Sequence, residues 1–384
     1  MSVGGPAESG TPAEPRANSR VLNRIRIFGS GASRVLSLAN PEDAGTDAVR
    51  GARESVRVPG LDGLRGIAVL CHYDIGKVRA GGAIGVTVFF VLSGYLITTL
   101  LVSEFRATGR IDFKAFYMRR IIRLLPAFLL LVAVTLVILT VFQDPTRVSY
   151  WGHALASIAY IADYVSATGS SMSVVGHTWS LAVEEQFYLL WPLVLLGVLT
   201  LALQRRREPL VAIALILGAA VVWRVAASVV LSPDWVYHAF DTNAYALLTG
   251  CLIAVLLIHR PNLVGWRTAT FAGRRVSATI AWSSLALLVG CSFWILPFYP
   301  GNWICVLAIL LTGALLIAGV ERLPILSWRP LRWFGTISYG LYLWHAPLLF
   351  VRPHDDWIGN PSASATCFSR SASRCSRTIS SGSR

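Results

Sequence analysis

AIGVTVFFVLSGYLITTLLV (residues 83–102) and LLPAFLLLVAVTLVILTVF (124–142) are apolar runs joined by SEFRATGRIDFKAFYMRRIIR (103–123), and this alternation decides the fold. A helix needs about 20 apolar residues to cross a hydrocarbon core of roughly 30 Å. Runs of that kind recur at 178–203, 210–231, 239–258, 278–297, 302–320 and 335–351, with a short one at 62–73. The expected fold class is therefore all-α, a polytopic transmembrane helical bundle of about nine full spans. A tenth apolar piece, 151–165, is too short to cross comfortably and is expected as a re-entrant segment or short helix.

Composition agrees with the runs. Of 384 residues, 54% are hydrophobic and 14% charged, against roughly a quarter charged in soluble domains. That excludes an ordinary soluble enzyme and a disordered chain. Lys plus Arg number 34 against 20 Asp plus Glu, a net +14. The arginines stand in short clusters between apolar runs, which marks loop topology and excludes a nucleic-acid-binding face. The partner implied by composition is the lipid bilayer. The six cysteines include no C-x-x-C pair, so neither a disulfide framework nor a metal site is expected.

Loop charge orients the chain. Arg53, Arg57 and Arg65 precede or open the first run, and Arg106, Arg110, Lys114, Arg119, Arg120 and Arg123 come after the second. Both sets belong in the cytoplasm by the positive-inside rule, as do Arg205–Arg207, Arg260–Arg275 and Arg322–Arg332. The expected localisation is the cell membrane, multi-pass, with the N-terminus cytoplasmic. Residues 1–57, rich in Gly, Ser, Pro, Ala and Arg, are expected as a disordered cytoplasmic arm, and 58–351 as the transmembrane domain. Residues 352–384 form a low-complexity Ser/Arg tail. Two readings of it stay open, a frameshifted or truncated reading frame and a genuine disordered tail.

Ionisable groups inside a membrane are costly and point to function. In GLDGLRGIAVLCHYDIG, Arg65 and His72 lie at the inner end and in the body of the first run. An arginine snorkelling to phosphate and a histidine satisfied by a neighbouring helix would account for them structurally. As chemistry, His72 is a candidate general base, since imidazole titrates near neutrality and can take a proton from a hydroxyl. In FYMRRIIRLLPAF, Arg120 and Arg123 stand one turn apart on one face. Topology anchoring competes there with a paired guanidinium site for the phosphates of a donor such as coenzyme A.

HTWSLAVEEQFYLLWPL (177–193) is denser in polar groups than any other apolar run. Ser180, Glu184 and Tyr188 succeed one another at i, i+4 on one face. His177, Trp179 and Ser180 beside two carboxylates at an outer membrane face suit a sugar-like acceptor, although Trp179 also fits an interfacial belt. His345, in ISYGLYLWHAPLLF, reads on its own as a core histidine. Arg224 and Asp241 are given no role beyond lining a cavity.

Together, DGLRGIAVL (62–70), GVTVFFVLSGYLIT (85–98), GRIDFKAFYMRRIIRLLP (109–126), HTWSLAVEEQFYLLWPL, DTNAYALLTGC (241–251) and FGTISYGLYLWHAPLL (334–349) resemble one family. That family is the acyltransferase family 3 integral membrane O-acyltransferases of bacteria. The resemblance implies an acyl-CoA co-substrate reached from the cytoplasm, no bound cofactor or metal, and a carbohydrate or similar hydroxyl acceptor presented outside. It implies His72 as the essential base, Arg65 as its partner, Arg120 and Arg123 as the donor-side pair, and Glu184 on the acceptor side. Acetyl is the acyl group it leads one to expect.

The chain departs from the pattern in three places. Only six residues separate Arg65 from His72, about one helical turn fewer than in the family. Four missing residues shorten the helix by about 6 Å and rotate its remainder by roughly 40°. Thr87 stands where the family often has Asp, and the Ser/Arg tail replaces a closing span. A catalytically impaired relative is therefore a second reading. A transporter is a third, weakened by the lack of an internal repeat or paired broken spans.

Overall fold

The computed structural model describes residues 58–72, 79–141, 147–170, 172–293 and 303–350. The expected arm over 1–57 and tail over 352–384 lie outside the described residues. Hydrocarbon offers no partner to a free backbone N–H or C=O, and a helix satisfies both within itself. Every regular element among the described residues is helical.

In chain order these are α1 (Pro59–His72), α2 (Arg79–Thr108), α3 (Phe113–Val141), α4 (Arg147–Ile158), α5 (Ala162–Ala167) and a 3-10 turn (Ser173–Thr178). Next come α6 (Trp179–Arg205), α7 (Pro209–Val230), α8 (Pro233–His238), α9 (Phe240–His259), α10 (Pro261–Ala269) and α11 (Phe271–Ser292). The chain continues with α12 (Trp303–Ala318), two 3-10 turns (Val320–Arg322, Pro324–Ser327), α13 (Arg329–Thr336) and α14 (Ser338–Phe350).

Six helical stretches are long and apolar enough to cross a membrane: Gly82–Thr108, Phe113–Val141, Val174–Arg205, Pro209–Val230, Pro233–His259 and Phe271–Ser292. Of the nine full spans expected, six are found among the described residues. The other three runs appear as α1, α12 and α14, of 14, 16 and 13 residues. At 1.5 Å per residue their described portions extend about 20–24 Å. Outward faces are apolar, as lipid contact requires: on α7, Val211, Leu215, Val222, Val225 and Val229 are all exposed.

The apolar piece at 151–165 resolves into α4 and α5, two short helices joined at Tyr160, whose φ of 54° reverses the chain. Gln186 of α6 holds that reversal, its Nε2 donating to the Tyr160 carbonyl (2.7 Å) and to Asp163 Oδ1 (2.9 Å). The other Asp163 oxygen accepts from the Phe240 backbone N–H (3.2 Å) at the start of α9. One buried carboxylate thereby ties α5 to both α6 and α9.

Lipid tails are as apolar as side chains, so intramembrane helices associate through close backbone approach at small residues. α2 and α9 meet in this way: a Cβ on Gly94 would stand 1.9 Å from the Leu247 carbonyl oxygen, and one on Gly250 2.0 Å from that of Val91. α13, an amphipathic helix with Trp333 outward and Leu331 and Gly335 buried, lies against α1. These contacts carry α1 into the bundle, with His72 at its end beside α2 and α14.

Candidate active site

The polar face of α6 points inward. Ser180 and Tyr188 are buried, and Glu184 between them accepts from Ser93 of α2 at Oε1 (2.9 Å) and from the Tyr188 hydroxyl at Oε2 (3.1 Å). The i, i+4 spacing read from sequence is therefore a wired hydrogen-bond row, not a solvated stripe. Trp191, one turn beyond, donates to Thr98 of α2 (2.8 Å) and fixes the register of α2 against α6.

α3 runs past the same face, its Tyr117 hydroxyl donating to the Leu189 carbonyl (2.9 Å). That register lays the Arg120 guanidinium over the Tyr188 ring at 3.7 Å from its centroid, with the Phe116 ring at 5.0 Å. Arg65 of α1 lies 5.9 Å from the Phe89 ring centroid. Glu184 stands within electrostatic reach of both Arg65 and Arg120, and Arg123 within reach of Arg65, Arg120 and Asp62. Arg120, expected on the donor side, and Glu184, expected on the acceptor side, are thus neighbours. The reason is that α3 enters beside the middle of α6 rather than beside its end.

Three buried polar atoms in this region have no hydrogen-bond partner among the described residues: Nε of Arg65, Nε of Arg120 and Oε1 of Glu185. Buried polar groups are ordinarily satisfied, so unmet donors and an unmet acceptor in one region fit a site that receives a polar guest able both to accept and to donate.

A second group adjoins the first. His72 faces His345 of α14, Nε2 to Nε2 at 3.2 Å, with ring centroids 4.7 Å apart. His177, in the 3-10 turn before α6, lies 5.0 Å from the His345 ring and contacts the Leu343 carbonyl through Nε2 at 3.1 Å. Tyr342 stands between them, its ring 4.9 Å from His72 and 5.7 Å from His177. The Tyr342 hydroxyl donates to the His177 carbonyl (2.7 Å) and meets Ser180 Oγ at 2.5 Å. It also lies within electrostatic reach of Glu184. The two groups form one seam, running from the exposed Arg123 through the half-buried Arg120, Arg65 and Glu184 and the buried Ser180 to Tyr342 and the three histidines.

Of the residues singled out in sequence, His72, Arg65, Glu184, Arg120, Arg123, His177 and Ser180 all border this seam. Trp179 has a different setting: its ring packs against Phe90, Tyr237 and His238 at 6.2, 5.1 and 5.1 Å. His345, read singly as a core residue, is a direct neighbour of His72, and Tyr342 and Ser93 join with it. Tyr342 and His345 lie one turn apart in YLWH, which is the only local sign of a shared face. Their partner is 273 residues away. Thr87, in place of the family's Asp, satisfies itself on its own helix by donating to the Ala83 carbonyl (2.8 Å).

Lipid-length helices around a seam of guanidinium, carboxylate, phenol and imidazole define a multi-pass membrane protein with an intramembrane site. A family model described as acyltransferase domain matches residues 58–351, and the chain belongs to that family. YrhL of Bacillus subtilis (strain 168) is 38% identical over 325 residues, 79% of this chain and 50% of that protein. The peptidoglycan O-acetyltransferase OatA of Listeria monocytogenes is 33% identical over 315 residues, 76% of this chain and 49% of that protein. The O-acetyltransferase OatA of Staphylococcus aureus is 33% identical over 319 residues, 76% of this chain and 50% of that protein. The chain spans about half the length of the curated relatives it matches. No solved structure gives a significant match.

Proposed function

We propose that this protein is a membrane-embedded O-acyltransferase that moves an acetyl group from cytoplasmic acyl-CoA to a hydroxyl of a cell-surface carbohydrate, with peptidoglycan as the leading acceptor. The observation that carries the reading is the continuous seam, with a cationic end that opens at Arg123 and an imidazole end, joined through Glu184 and Ser180. The cationic end suits the phosphates of coenzyme A, with Arg120 and Arg123 as the binding pair. The names of the relatives supply the acceptor class.

In the proposed reaction the acceptor O–H gives its proton to His72 as its oxygen attacks the thioester carbonyl. The C–S bond then breaks, an ester forms, and the coenzyme A thiolate leaves with a proton. His177 and Ser180 border the hydroxyl side. Glu184, already accepting two hydrogen bonds, holds Ser93 and Tyr188 in position and balances the Arg65 and Arg120 charges. The N-terminus lies on the donor side, in the cytoplasm.

The test is acyl transfer by purified protein in lipid nanodiscs, with radiolabelled acetyl-CoA and muropeptide acceptors. His72→Ala should lower transfer at least about a hundredfold, the usual contribution of a general base. Full activity in that variant would remove His72 from the chemistry. A wild-type chain inert towards every acyl-CoA and acceptor would favour the impaired relative instead.

A further inference from the structure

A cationic, tryptophan-bearing surface lies outside the seam. Between α12 and α14 the chain makes the Pro324–Ser327 turn and α13, and buries only one side of each. Leu326, Leu331 and Gly335 are buried, whereas Ile325, Trp328, Arg329 and Trp333 are exposed. Arg332, half-buried beside them, has an enclosed Nε with no hydrogen-bond partner among the described residues. No acidic residue lies between Pro324 and Thr336, and Glu321 and Arg322 just before it are of opposite sign. The segment is thus cationic by two. α12, which leads into it, exposes Val306, Leu310 and Ile317, a face that needs lipid tails.

The buried side locks onto α1. A Cβ on Gly63 would stand 1.9 Å from the Leu326 carbonyl oxygen, one on Gly66 2.2 Å from that of Leu331, and one on Gly335 1.8 Å from that of Asp62. These are backbone-to-backbone approaches with no flexible side chain between them, so α1 and this segment cannot shift independently. The stretch of α1 that they grip carries Arg65 of the seam, and Asp62 lies within electrostatic reach of Arg123.

We propose that residues 324–336 form a docking surface for the headgroups of anionic phospholipids, and that its occupancy fixes α1 and with it the cationic end of the seam. Guanidinium groups bind phosphate through paired N–H donors, and indole rings settle at the headgroup level of a bilayer. Arg329, Arg332 and Trp333 succeed one another at i, i+3 and i, i+4, so phosphate and ring contacts fall on one patch. An anionic bilayer surface strengthens such contacts about fivefold per arginine. Topology anchoring alone accounts for the charge but not for the locking of α1. The lipid contact stands apart from the proposed reaction, whereas its effect on transfer rests on that reaction.

The test compares lipid nanodiscs of phosphatidylcholine alone with discs that also contain phosphatidylglycerol. The wild-type protein should melt about 4–8 °C higher in the anionic discs, from the gain at two arginines. The double variant Arg329→Gln, Arg332→Gln should lose that gain. Arg205→Gln with Arg207→Gln removes the same charge from exposed positions at the end of α6 and should keep it. Inorganic phosphate added to phosphatidylcholine discs should give no shift; an equal shift with free phosphate would assign the pair to a soluble anion and overturn the lipid reading. Acetyl transfer in the same discs should run about fivefold or more faster with phosphatidylglycerol in the wild type, and be indifferent to it in the Arg329→Gln, Arg332→Gln variant. A melting gain equal in the wild type and that variant would overturn the docking surface. A gain lost in the variant while its transfer still responds to lipid would overturn the link to α1. Absence of transfer in every disc would overturn the proposed reaction, and the melting comparison would still decide the docking surface.

Discussion

Replacing Gly94 by alanine tests the packing that frames the site. The new Cβ would lie 1.9 Å from the Leu247 carbonyl oxygen, whereas ordinary contact begins at 3.4 Å. Neither atom belongs to a flexible side chain, so α2 and α9 must part by about 1.5 Å or the backbone must bend. Overpacking of this kind costs about 1–3 kcal/mol. At roughly 2–4 °C per kcal/mol for a larger domain, melting should fall by about 2–12 °C. The chain carries its own reporter. Cys251 is fully buried beside this crossing, with its Sγ donating to the Gly94 carbonyl at 3.5 Å. With the other cysteines changed to serine, a thiol-reactive fluorophore reads exposure of Cys251 as temperature rises. Gly94→Ala should bring labelling forward in step with the melt. A variant melting within about 1 °C of wild type, with unchanged labelling, would refute the contact, because no relaxation of a backbone-to-backbone clash is that cheap.

Four further outcomes are expected. Arg120→Lys keeps the charge but loses the planar stack on Tyr188, so transfer should fall by about tenfold or more, mainly through a raised KM for acetyl-CoA. Glu184→Gln leaves the amide accepting one hydrogen bond where the carboxylate accepted two and removes the charge facing Arg65 and Arg120. It should lower kcat with little change in melting temperature, and wild-type kinetics would exclude the assigned role. Tyr342→Phe deletes the hydroxyl between Ser180 and the His177 carbonyl and should cost about 1 kcal/mol of stability, read by thermal melt. Burial pushes the Asp163 carboxyl up to about 6, above its usual value near 4. The folded state therefore holds that proton more tightly than the unfolded state, and stability should decline as pH rises from about 4 to about 6. Asp163→Asn should flatten that part of the stability profile in a pH series of melts.

Much of the candidate site was legible because it is local. The Ser180, Glu184, Tyr188 row is a helical period, Arg120 and Arg123 are one turn apart, and carboxylates inside an apolar run stand out. The arginine–glutamate neighbourhood was not legible, since it depends on how far α3 slides along α6. Loop charge gives the side on which a helix starts and says nothing about depth. His345 was hidden for a related reason: a single histidine in an apolar run looks the same whether it meets a leucine or another histidine.

The sequence by itself determined the all-helical class, the membrane as solvent, the family and most of the ionisable residues at the seam. These come from run length, composition and short-range period, each a property of neighbouring residues. Only the tertiary structure decided that Asp163 ties α5 to α6 and α9, that Arg120 lies over Tyr188, and that His72 meets His345. Those depend on where helices far apart in the chain touch, and glycine contacts such as Gly94 on Leu247 and Gly85 on Ala68 set that by ångströms rather than by pattern.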